Sequence, residues 1–113
     1  MSGIRVISGS ARGRRLKQVS GTDTRPISDR VKEALCNIIG LDVHDANFLD
    51  LFGGTGSVGI EALSRGAARA IFLDTSRRAI ETIRSNLSVT GFSARSEVLQ
   101  TDALTYLERP PRT

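Results

Sequence analysis

Residues 50–59 read Asp50-Leu51-Phe52-Gly53-Gly54-Thr55-Gly56-Ser57-Val58-Gly59, and they follow an apolar run and open an amphipathic one. A buried strand, a glycine turn and a helix in that order form the phosphate- or nucleotide-binding corner of an α/β sheet. Two further acids, Asp74 and Asp102, each close a later apolar run. Ligands of open α/β sheets gather at the carboxyl ends of the strands. Three acids in sequence there point to one elongated ligand with several polar handles.

The pattern around this turn predicts a parallel sheet. Asn47 to Phe52, Arg69 to Leu73 and Glu97 to Gln100 read as three strands, nearly continuous in apolar residues. Ser57 to Arg65 reads as a helix with Val58, Ala62 and Leu63 inward, stopped at Gly66. Ser76 caps a helix whose Ala79, Ile80, Ile83 and Leu87 form a stripe, closed by Gly91, and Ala103 to Glu108 starts another. Strands alternating with amphipathic helices imply a sheet covered on both faces.

Upstream, Ile4 to Ser8 and Arg14 to Val19 read as a β-hairpin whose turn holds Gly9 and Gly13. Ser28 can cap a helix through Ile39, with Val31, Leu35, Ile38 and Ile39 on one face and Gly40 as its stop. The expected organisation is a basic hairpin over 1–23 and the first half of a Rossmann-like α/β domain over 24–113.

Charge is unevenly placed. The chain carries 16 Lys and Arg against 12 Asp and Glu, and all but Lys17 and Lys32 of its bases are arginines. Arg5, Arg12, Arg14, Arg15 and Lys17 fall before Thr22 with no acid among them. Arginine forks match phosphate oxygens bidentately, so Arg12, Arg14, Arg15 and Lys17 are candidate nucleic-acid contacts. The plain alternative is a solvated basic arm.

With 113 residues, 39% of them hydrophobic, the chain has room for one modest core and contains no run of the length a membrane span needs. The start Met1-Ser2-Gly3-Ile4-Arg5 has no signal-peptide pattern, and a single cysteine, Cys36, excludes an internal disulfide and fits a reducing cytoplasm. One histidine and one cysteine make a zinc site improbable, so no metal is expected. His44 reads as a surface residue.

Gly54-Thr55-Gly56-Ser57-Val58-Gly59 fits the dinucleotide pattern, and Asp74 lies 20 residues after Gly54. A nicotinamide or flavin site is therefore a rival reading. Against it stands Asp50, whose carboxylate would repel a pyrophosphate drawn to the helix N-terminus. It would instead attract a ligand with an ammonium and a sulfonium. That favours S-adenosylmethionine, with the backbone of Gly53, Gly54, Thr55 and Gly56 approaching it closely. Asp74 suits ribose hydroxyls and Asp102 an exocyclic amine, while an N-cap role is the plain reading of Asp102.

Beyond these features, the chain resembles the bacterial guanine-N2 methyltransferases of small-subunit (16S) ribosomal RNA. The resemblance rests on Ile4-Arg5-Val6-Ile7-Ser8-Gly9, Arg12-Gly13-Arg14-Arg15-Leu16, Thr24-Arg25-Pro26 and Asp29-Arg30-Val31-Lys32-Glu33-Ala34-Leu35. It continues through Phe48 to Gly56 and Gly59 to Ala67. It implies a Rossmann-like methyltransferase fold, S-adenosylmethionine as donor and a guanine amine as acceptor. It also implies that Asp50, Gly54 and Gly56 hold the methionine end, Asp74 the ribose, and Asp102 with Ala103 the adenine. Arg25 would border the cofactor pocket and the hairpin would grip RNA.

That family carries an Asp- or Asn-Pro-Pro-Tyr motif that binds the target amine. Here Arg109-Pro110-Pro111-Arg112 has the prolines but no acceptor and no aromatic, so no catalytic residue is assigned. The expectation is a chain cut after its third parallel strand, whose strand 48–52 would be left as an edge open to self-association. Three alternatives stay open: a DNA or small-molecule methyltransferase, a non-catalytic RNA- and cofactor-binding fragment, and a nicotinamide enzyme.

Overall fold

The structure is a computed structural model that describes residues 4–19, 43–51 and 54–108. The helix expected over 28–39, Arg25, Cys36, Phe52, Gly53 and the Pro-Pro step lie outside the described residues.

Two short strands, β1 (Ile4–Arg5) and β2 (Arg15–Leu16), pair antiparallel, with Ile4 opposite Leu16 and Arg5 opposite Arg15. Next come β3 (Asn47–Asp50), α1 (Ser57–Ser64), β4 (Arg69–Asp74), α2 (Arg77–Thr90), β5 (Ser96–Gln100) and α3 (Ala103–Leu107). The strands β3, β4 and β5 form a parallel sheet in that spatial order. Among the described residues β3 pairs on one side only, with β4, and Leu49 on it is 37% exposed.

Local chemistry sets the boundaries. The Ser76 hydroxyl accepts from the Ala79 N–H at 3.3 Å, capping α2 at its start. Gly91 ends α2 in the left-handed conformation at φ 81°, where glycine has no steric penalty. Arg95 serves α1 from a distance: its Nη2 donates to the carbonyls of Leu63 at 2.8 Å and Ala67 at 3.0 Å, and its guanidinium lies 5.0 Å from the Phe92 ring centre. A cation at a helix C-terminus satisfies carbonyls that have no intrahelical donor.

α1 is the central layer. Phe72 of β4 packs so closely under it that a Cβ on Gly59 would fall 2.3 Å from the Phe72 Cε2. Glycine there brings helix and sheet together, the packing role of the last glycine in this kind of turn. On its other side α1 carries the hairpin, and Ile4, Val6, Ala11 and Leu16 join Ile60, Leu63, Phe72, Ile83 and Leu87 in one core cluster.

Here the structure corrects the sequence reading of α1. Val58 is half-buried, while Ser57 and every residue from Gly59 to Ser64 are buried. Periodicity expects one buried face; the hairpin covers the second.

The hairpin strands are also shorter than expected, and the reason is visible. The Ile7 and Ser8 N–H groups donate to the Glu61 carboxylate at 2.9 and 3.0 Å, and the Lys17 N–H donates to Asn86 Oδ1 at 2.7 Å. Side chains of α1 and α2 have taken over bonds that a longer ladder would have made.

Candidate functional site

The glycine turn is held by Asp74, by Ile83 and Asn86 of α2, and by its own Thr55. The Asp74 carboxylate accepts from the Gly54 N–H at 2.9 Å with one oxygen and from the Ser76 N–H at 2.8 Å with the other. Gly54 sits at φ 55° and Gly56 at φ 81°, both in the left-handed region. A Cβ on Gly56 would come within 3.3 Å of Ile83 Cγ2, so the turn lies directly on α2. Three residues further along α2, the Asn86 Nδ2 donates to the Thr55 carbonyl at 2.8 Å. Finally, Thr55 Oγ1 accepts from the Ser57 N–H at 3.2 Å, using one of the donors at the start of α1.

The acids predicted from sequence stand at the carboxyl edge of the sheet in chain order. Asp50 is the last residue of β3 and Asp74 the last of β4, both half-buried; Asp102 follows β5 and is exposed. Neighbouring strands lie about 4.8 Å apart, so the row spans roughly 10 Å. The Thr101 N–H donates to the Asp74 carbonyl at 3.0 Å, which ties the loop after β5 to the end of β4.

Asp102 is the N-cap of α3. One of its oxygens accepts from the Thr105 N–H at 2.6 Å and the other from the Thr105 hydroxyl at 2.9 Å. The Thr105 backbone bond, then the hydroxyl bond, holds its carboxyl below the usual carboxylate range. Asp74 and Asp102 thus both serve the local backbone, and each oxygen retains a second lone pair for a ligand donor. Ala103 opens α3 beside them, half-buried.

Arg12, Arg14, Arg15 and Lys17 are all exposed on the hairpin. Leu16 is buried between Arg15 and Lys17, so the strand's alternation sends both bases outward. Arg5 sits directly across the pair from Arg15. His44 is a surface residue, its side chain 67% exposed and 3.6 Å from the Asp45 carboxylate.

Sequence reading passed over Glu61, Ser64 and Asn86, all buried polar side chains. Glu61 accepts from Ile7, Ser8 and, at 2.9 Å, from Arg65 Nε. Ser64 accepts from the Ala11 N–H at 2.9 Å and donates to the Ser8 carbonyl at 2.6 Å. The available signal was position: Asn86 lies in the apolar stripe between Ile83 and Leu87, where a polar residue needs a partner.

Among the described residues no group of three or more potential metal ligands converges, and no helix is long and apolar enough to cross a membrane.

The parallel order β3-β4-β5, with a glycine turn between β3 and α1, is the Rossmann-like fold of methyltransferases. A solved Escherichia coli structure, provisionally described as a methyltransferase, matches with a TM-score of 0.82 at 36% identity, over 96% of this chain and 57% of that one. The chain belongs to the family described as conserved hypothetical protein 95, whose profile matches residues 4–113. A Bacillus subtilis relative, provisionally named an rRNA methyltransferase, is 49% identical over 88% of this chain and 54% of its own length. The ribosomal RNA small subunit methyltransferase D of Haemophilus influenzae is 37% identical over 95% of this chain and 56% of its own. The chain therefore spans about half the length of the curated relatives it matches.

Proposed function

We propose that this chain supplies the cofactor-binding and RNA-gripping part of an S-adenosylmethionine-dependent methyltransferase acting on a guanine exocyclic amine of small-subunit ribosomal RNA. The observation that carries the reading is the row Asp50, Asp74, Asp102 along one sheet edge, beside a glycine turn held open by Asp74 and α2. These residues fit the cofactor. Asp50 would meet its ammonium, Gly54, Thr55 and Gly56 would pass close to its methionine end, Asp74 would accept from the ribose, and Asp102 with Ala103 would meet the adenine. The Gly53 backbone would line the same turn and Arg25 the pocket's border. When bound, S-adenosylmethionine supplies a methyl group on an electrophilic sulfonium.

RNA as the substrate is supported by the relatives' names and by the exposed bases on the hairpin. Asn86 links the hairpin that carries the exposed Arg12, Arg14, Arg15 and Lys17 to the glycine turn, which supports this reading. The partner would be the small ribosomal subunit or its RNA, in the cytoplasm. The edge of β3, with Leu49 exposed, is the proposed route of self-association.

Calorimetry with S-adenosylmethionine, with NAD as the control ligand, tests the reading. Asp50→Asn should weaken S-adenosylmethionine binding by about 1.5–3 kcal/mol, the scale of a hydrogen bond to a charged group. Undiminished binding in the variant, or tighter binding of NAD by the unaltered chain, would reject the assignment.

A further inference from the structure

Asn86 is fully buried in the middle of α2 and bonds in two directions at once. Its carboxamide accepts from the Lys17 N–H at 2.7 Å and donates to the Lys17 carbonyl at 3.0 Å. That is the reciprocal exchange of two bonds that one residue of a neighbouring antiparallel strand would make. Its second amide hydrogen goes to the Thr55 carbonyl at 2.8 Å. One side chain thus grips the backbone where β2 leaves the basic hairpin and the backbone at the centre of the glycine turn.

The chemistry explains why the residue is asparagine. Asparagine is a mediocre helix former, and a buried carboxamide costs stability unless its groups are paired. Alanine or leucine would serve helix and core better, so the site is explained by the bonds it makes. Aspartate would have no donor for Thr55, and serine would be too short to span both segments.

The bond to Thr55 also has a direction. In a planar trans peptide the carbonyl and the following N–H point opposite ways. Drawing the Thr55 carbonyl toward α2 therefore aims the Gly56 N–H away from α2. That N–H belongs to the turn whose backbone would approach the cofactor. Ile83, one helical turn earlier, seats Gly56 itself. Displacing Lys17 would move Asn86, and with it the tilt of the Thr55–Gly56 peptide.

We propose that Asn86 is a positioning residue that couples nucleic-acid engagement of the basic hairpin to cofactor affinity at the glycine turn. This rests on the functional reading above. Coupling between two sites is reciprocal, so either ligand must strengthen binding of the other by the same factor.

The test measures S-adenosylhomocysteine binding to the full chain with and without a transcript of small-subunit ribosomal RNA. RNA should tighten cofactor binding about fivefold or more in the unaltered protein, and by a factor near one in Asn86→Ala. Val98→Ala, at a half-buried position of β5 packed against the core, serves as a stability control and should keep the coupling. Equal coupling in Asn86→Ala and the unaltered chain overturns the proposal, as does an equal loss in Val98→Ala. Should Asn86→Ala fail to fold, hydrogen exchange in the unaltered chain decides. Cofactor must then slow exchange of the Lys17 amide, and an unchanged rate refutes the coupling.

A ligand-free arm separates this failure from failure of the functional reading. If neither ligand binds, that reading falls, yet Leu16→Val still loosens β2 within the protein. It should speed exchange of the Gly54 and Ser57 amides about threefold more than Val98→Ala does. No difference between the two variants means that the hairpin and the turn are independent.

Discussion

The hairpin and the sheet both pack against α1, but they are held there by different means. On the sheet side Phe72 lies under Gly59 and Ile60 and Leu63 are buried, so apolar contact closes the interface. On the hairpin side, apolar contacts from Ile4, Val6, Ala11 and Leu16 are joined by buried polar clamps. Glu61 takes two hairpin amides and Ser64 bonds Ala11 and Ser8, while Asn86 of the neighbouring α2 bonds both groups of Lys17. Apolar contact is non-directional and tolerates small shifts, whereas these bonds fix the hairpin's position to within hydrogen-bond geometry. An arm that must present bases at a set place relative to a neighbouring turn benefits from the second kind of attachment.

Three measurements can break or sharpen that contrast. The largest effect is expected from Phe72→Ala, which empties the space beneath α1 and should cost about 3–5 kcal/mol in denaturant unfolding. Because β4 is central among the described strands, the loss should be felt by the whole cooperative unit. Next, Glu61→Gln keeps the volume but turns an amide NH₂ toward a backbone N–H. Leaving one buried donor unpaired should cost about 1–3 kcal/mol. The Ile7 and Ser8 amides should then exchange faster while β4 and β5 amides change less. Uniform acceleration would show that hairpin and sheet are one unit and that the contrast has no thermodynamic content. Smallest in stability is the replacement of Arg12, Arg14 and Arg15 by Ala, within about 0.5 kcal/mol for exposed side chains. Its effect should instead appear in RNA binding, flattening the salt dependence by a slope of about 0.7–0.9 per lost phosphate contact. An unchanged slope would reduce the outer face of the hairpin to a solvated surface.

The same contrast explains what could be read from the sequence. The apolar strands, the Ser76 cap, the Gly91 stop and the row of strand-end acids follow from local rules, and the structure places each where those rules put it. Glu61 and Ser64 were invisible because their partners lie more than 50 residues away along the chain. Periodicity gives such polar residues to solvent, and only the docked hairpin reverses that. Asp74 shows the limit at the candidate site itself. Its position after β4 was legible, but its bond to Gly54 depends on how the turn folds back over the strand end.

Gly9 carries a consequence for how such a chain can change over time. A Cβ there would fall 1.9 Å from the Ser64 carbonyl oxygen, and its φ of 90° already disfavours other residues. With the hairpin pressed on one side of α1 and Phe72 on the other, the segment 57–64 answers to two surfaces at once. A substitution that suits the sheet must also suit the hairpin, so drift there requires paired changes in distant parts of the chain. The outer flank of α2 is under no such double constraint: Arg77, Glu81 and Ser88 face solvent, and exchanging any one of them disturbs no buried contact. Divergence among related chains should therefore accumulate along the outer flank of α2 long before it reaches α1.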